Sequence, residues 1–135
     1  MRYAYKFLVA SLCAGISMLK VFDANAATAS DVATPAPISA TEKKAIQEAI
    51  RASLKDPESA KFGAMNTGKF SDGNLSVCGW VTGKNSYGGY TGMSPFVGKY
   101  FVKSKQIDIA IGSGRDAEFI PGMCLDFGTP LPPQP

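Results

Sequence analysis

Proton-transfer chemistry near neutral pH most often uses histidine, and this chain of 135 residues contains none. The commonest general base, and the commonest metal ligand, is therefore missing. A serine nucleophile needs a lysine or carboxylate beside it, and Ser86 near Lys84 is too common a juxtaposition to signal one. Asp108 is expected to face solvent, while Asp116 and Glu118 share a turn region. No carboxylate pair stands at a spacing that suggests acid–base work. A cysteine nucleophile would also lack its base. No catalytic residue, metal ligand or cofactor is assigned, and the chain reads as a non-enzyme.

Cysteine points to different chemistry. Cys13 lies in an apolar N-terminal run, which leaves Cys78 and Cys124 in the body of the chain. In an oxidising compartment these two have a single intramolecular pairing. Free thiols, a metal pair or an intermolecular bridge are the alternatives; without histidine or a CxxC pair the metal reading is poor. Closing the Cys78–Cys124 loop would stabilise a small domain by about 4 kcal/mol on the chain-entropy argument.

The third chemical feature is the stretch Gly83-Lys84-Asn85-Ser86-Tyr87-Gly88-Gly89-Tyr90-Thr91-Gly92. Glycines let backbone approach a partner closely, and tyrosines offer amphipathic contact area. The stretch reads as a recognition loop with Lys84, Asn85, Ser86, Tyr87 and Tyr90 as binding residues, Tyr87 and Tyr90 stacking on sugar rings or packing on a protein. The competing reading has the tyrosines covering a sheet edge while the glycines only make turns.

These residues need a scaffold. Ser39 followed by Glu42 has capping-box spacing. Ile46, Ala49, Ile50 and Leu54 then recur on one face, predicting a helix over 40–55. Pro57 ends it, and Asp56 to Ala60 reads as a helical turn. Strands are expected over 61–70, with Phe62, Ala64 and Phe70 inward, and over 75–82 as a central strand. Asp72-Gly73 makes the hairpin turn between them. In the second strand Leu75, Val77 and Val81 share one side, and Cys78 and Trp80 the other. Trp80 is expected to pack on the bridge. Strands over 96–103 and 106–111 follow, then a Pro121-Gly122 turn and a last short strand over 123–127 that carries Cys124. One helix followed by about five strands, without β-α alternation, predicts an α+β domain: an N-terminal helix on a small antiparallel sheet, with one disulfide.

The ends read differently. Arg2 and Lys6 precede an uncharged run from Phe7 to Leu19, too short to span a bilayer. Ala24-Asn25-Ala26 supplies a small-x-small cleavage pattern, so residues 1–26 read as a signal peptide cut after Ala26. That places the mature chain in the periplasm or outside the cell, with no transmembrane anchor. Leu12 before Cys13 argues against a lipoprotein signal. Residues 27–38 read as a flexible linker, 39–128 as the single domain, and 129–135 (TPLPPQP) as a proline-rich tail. The tail favours an extended polyproline form, read as a frayed end, with docking on an aromatic groove as its alternative. Past residue 26 the chain holds 11 basic and 10 acidic residues. That balance, with cations scattered along the chain, argues against a nucleic-acid partner.

Two blocks carry a resemblance. Leu54-Lys55-Asp56-Pro57-Glu58-Ser59-Ala60-Lys61-Phe62 resembles an LKDPxSAxF block. Residues Val77 to Gly92 resemble a VCGxVNxKNSxGGYxG block that ends in an aromatic, here Phe96. The chain departs from that pattern at Trp80 and Thr82, where glutamate and asparagine are expected. Both blocks resemble an uncharacterised family of small exported proteins and lipoproteins of Gram-negative bacteria. The resemblance spans roughly residues 45 to 100. It implies an envelope location and marks Lys84 to Gly92 as a shared feature, without supplying an activity or ligand. The combined reading is an exported binding module of the envelope whose partner is an envelope protein or cell-wall glycan. A structural or accessory subunit of an envelope assembly is the alternative, and a cell-wall hydrolase ranks below both.

Overall fold

The computed structural model describes residues 31–135, so the signal segment 1–26 and the first four linker residues lie outside the described residues. In chain order the elements are β1 (Thr34–Pro35), α1 (Ala40–Ala52), a 3-10 turn (Pro57–Ser59), β2 (Lys61–Lys69), β3 (Leu75–Thr82), β4 (Ser94–Phe101), β5 (Gln106–Ile111), a second 3-10 turn (Gly114–Glu118) and α2 (Ile120–Asp126). The five strands form one antiparallel sheet in the order β1-β2-β3-β4-β5. The fold is α+β, closed by a Cys78–Cys124 disulfide. Among the described residues no helix is long and apolar enough to cross a membrane.

Helix α1 begins as its sequence dictates. The Ser39 hydroxyl accepts the Glu42 N–H at 3.1 Å, and the Glu42 carboxylate accepts the Ser39 N–H at 2.8 Å. The Ser39 N–H, with the Ser39 hydroxyl that also donates to the carboxylate at 2.8 Å, holds the Glu42 carboxyl below its ordinary range. The helix ends at Ala52 rather than Lys55, capped by Ser53. Its inward stripe buries Ile46 and Ile50 completely against Val77, Val81, Phe96 and Tyr100. Each isoleucine contributes about 2 kcal/mol of transfer energy.

Phe62 and Met65 both pack on this face, although they are three residues apart. Strict alternation would put them on opposite faces, and a bulge between them restores the match. The expectation of Ala64 as core fails for the same reason: the bulge turns it to solvent. Gly79 lies opposite Phe96, and a side chain there would meet the Phe96 ring at 3.0 Å. The bare backbone makes room for the ring.

The second face is built from other material. Cys78, Val97 and Ala110 are neighbours across β3, β4 and β5, and Ile120, Cys124, Phe127 and Leu131 close over them. Residues 120–126 form a helix here, where the sequence predicted a Pro-Gly turn and a strand over 123–127. Five apolar-leaning residues carry no decisive period. Pro121 suits a first helical turn, and the spacing of Ile120, Cys124 and Phe127 turns all three toward the sheet. The fifth strand is instead β1, inside the stretch read as flexible linker. Its Thr34 and Pro35 pair with Lys69 and Gly68. Proline is tolerated there because an edge strand can spare an N–H. Ala33 donates to the Phe127 carbonyl at 2.9 Å, and Ala36 to that of Thr67 at 3.1 Å.

The tail is not a frayed end. Gly128 takes φ +73°, and the N–H groups of Gly128 and Thr129 satisfy the Leu125 and Cys124 carbonyls, both at 2.9 Å. The chain then runs back across the sheet with Thr129 buried over Gly68.

Candidate functional site

The stretch expected to be a recognition loop is a fastened hairpin. Lys84 and Tyr90 pair as an antiparallel bridge. Asn85 organises the turn: its backbone N–H donates to the Gly89 carbonyl at 2.9 Å and its own carbonyl accepts from Gly88 at 3.0 Å. Its side-chain oxygen accepts the N–H groups of Tyr87 at 2.9 Å and Gly89 at 3.1 Å. Gly88 adopts φ +80° at the turn, a region where a Cβ would be strained.

The hairpin is tied to the body of the domain at Ser59. That residue's hydroxyl accepts the Lys84 N–H at 2.8 Å and donates to the Asp56 carbonyl at 2.9 Å. The Ser59 carbonyl accepts the Tyr90 hydroxyl at 2.9 Å. Lys61 places its ammonium 4.5 Å from the centre of the Tyr90 ring. The two sequence blocks are thus one structural unit, joined where the Asp56-Pro57-Glu58-Ser59 turn meets the loop. Ser59 escaped the sequence reading as a site residue. The signal present was the pairing of the two blocks, 25 residues apart at the Ser59–Lys84 bond.

The five expected site residues therefore divide. Asn85 and Tyr90 hold the loop, and Lys84 does so through its backbone. Ser86 and Tyr87 stand at the tip. Tyr87 is 97% exposed, whereas Tyr90 is 41% exposed. Neither tyrosine covers a sheet edge in the way the competing reading required: Tyr90 is pinned to a turn and Tyr87 points into solvent.

Beneath the loop lies a cleft of about 280 Å³, whose wall includes Lys55, Lys84, Thr82, Thr91, Ser94 and Ser113. Leu54, Val81 and Ile111 also belong to the wall. The Thr82 hydroxyl is buried there without a hydrogen-bond partner, which is uncommon for a polar group removed from water.

Trp80 lies on the disulfide side of β3 as expected, but its role is different. Its indole N–H donates to the Pro132 carbonyl at 2.8 Å, while Val97, Ile120, Ala110, Phe127 and Leu131 surround the bridge. Comparison of the chain with family models, with curated proteins and with solved structures yields no match.

Proposed function

We propose that this protein is an exported, non-enzymatic binding module of the cell envelope, with the Lys84–Gly92 hairpin as its recognition element. One observation carries the reading: an aromatic ring 97% exposed at the tip of a turn whose backbone is pinned by the Asn85 side chain. Exposing Tyr87 contributes nothing to packing, and an aromatic side chain with few rotatable bonds gives contact area at little cost in conformational entropy. The partner is an envelope protein or a cell-wall glycan, whose sugar faces stack on such rings. Export is supported by the N-terminal signal pattern and by a disulfide, a bond that persists in oxidising compartments.

The test is cosedimentation with purified cell-wall glycan, together with crosslinked capture from envelope fractions. Tyr87→Ala should abolish both without shifting the thermal midpoint, and Tyr90→Ala should loosen the loop and weaken them in part. Capture that survives Tyr87→Ala would transfer the site to β5. Among the described residues that strand is hydrogen-bonded only to β4 and so presents an open edge, which favours the second reading, an accessory subunit that pairs by strand addition.

A further inference from the structure

The C-terminal tail sits in a groove that grips it as a ligand. Trp80 holds the Pro132 carbonyl at 2.8 Å, and the Asn66 carboxamide donates to the Pro130 carbonyl at 2.8 Å. Between these anchors Leu131 packs on the cluster around the disulfide, and Pro132 is buried. Farther along, a side chain at Gly63 would meet Met93, Trp80 and the ring of Pro135. The bare backbone of β2 leaves the floor on which the end of the tail rests.

A polyproline backbone makes no internal hydrogen bonds, so its carbonyls are available, and its stiffness makes docking entropically cheap. An indole N–H beside an apolar floor is a chemical match for such a chain. Both donors here read backbone carbonyls of prolines two residues apart, and neither bond depends on the tail's covalent link to Gly128. We propose that the Trp80–Asn66 groove is a polyproline-binding site that the chain's own tail fills in cis, and that a proline-rich extended segment of a partner protein occupies it when the tail leaves. Pro133, Gln134 and Pro135 are exposed, whereas Leu131 and Pro132 carry the buried contacts. Beside it, a groove of about 470 Å³ runs between Pro37 and Pro130 over Met65–Thr67 and leaves one flank open to an incoming chain. A short tether gives the cis ligand an effective concentration on the order of millimolar, which a partner must outcompete. This site is separate from the Tyr87 hairpin and does not rest on it.

Trp80 is the only tryptophan in the sequence, so its fluorescence reports on the groove directly. The probe is the heptapeptide TPLPPQP, with TALAAQA as control. A full-length variant carrying Leu131→Ser, Pro132→Gly and Pro133→Gly should show red-shifted Trp80 emission. Adding TPLPPQP should restore the emission, with affinity at least about tenfold above that for the unaltered chain, since the cis competitor is gone. TALAAQA should not bind. Unchanged emission with TPLPPQP, or equal binding of the control, overturns the proposal. Should the variant not fold, the unaltered chain is titrated with excess TPLPPQP by NMR. The Trp80 indole N–H resonance should then shift while Leu131 sharpens as its tail is displaced, and a static indole resonance overturns the proposal. A concentration-dependent dimer formed by exchange of tails would also overturn it, assigning the groove to a second copy.

Discussion

The two faces of the sheet are covered in unlike ways. On one, a single helix with its own capping box lays Ile46 and Ile50 over β3 and β4. On the other, the cover is assembled from a seven-residue helix and a proline tail. Neither piece is long enough to be stable alone, since a helix of two turns is far below the length at which propagation offsets nucleation. The disulfide lies on this second face, where the noncovalent cover is most fragmented. A covalent tie contributes most where the elements it joins cannot hold themselves.

The sharpest way to break that contrast is to remove the tie. Replacing Cys78 and Cys124 by alanine should cost about 4 kcal/mol in denaturant unfolding, for a bridge spanning 46 residues. Hydrogen exchange should show amides of α2 and the tail losing protection before those of α1. Simultaneous loss would mean that the two covers form one cooperative unit. Next in size is Ile50→Ala, which leaves a cavity under α1 and should cost about 3 kcal/mol by the same measurement, with the disulfide face spared. Gly128→Ala tests how the fragments are joined. A side chain there meets the Ala33 carbonyl, and φ is positive, so a loss of about 2 kcal/mol is expected. It should be accompanied by release of β1.

Smaller effects sharpen the contrast further. Trp80→Phe removes the bond to Pro132 and should cost about 1 kcal/mol, seen as faster exchange confined to the tail side. Acid should act at the edge of the second face. Lys99, with the Asn74 N–H, pulls the Asp72 carboxyl from 3.8 down to about 2, and Lys99 also lies 4.4 Å from the Phe70 ring centre at the edge of the second face. A depressed folded-state pKa means this contact stabilises above about pH 4 and is lost as pH falls through about 2. Asp72→Asn should flatten the stability profile in that window, by an amount that shrinks with added salt. Tyr87→Ala should move stability by less than about 0.5 kcal/mol, because the ring packs on nothing.

Much of the first face was legible. The Ser39–Glu42 box, the isoleucine stripe, the Asp72-Gly73 turn and the alternation from Leu75 to Val81 are local signals, and each element forms within a few residues of its expected bounds. The bulge that turns Ala64 outward was not legible, because it answers to the opposite strand rather than to its own residues. In the candidate site the glycines and tyrosines were conspicuous. Which tyrosine anchors and which is presented depended on Ser59, a partner 31 residues from Tyr90.

Sequence alone determined the helix with its cap and four of the five strands, since periodicity and capping act between near neighbours, and it offered Cys78 with Cys124 as a candidate pair that the fold joins. Only tertiary structure decided that 120–126 is helical, that residues 34–35 complete the sheet, and that the tail lies against Trp80. Those segments are short or proline-rich and carry no period of their own. Their conformations are set by distant partners, 33 and 35 residues away for Pro35 and Thr34, 46 for Cys124 in α2, and 52 and 64 for the tail, contacts that exist only once the sheet has formed.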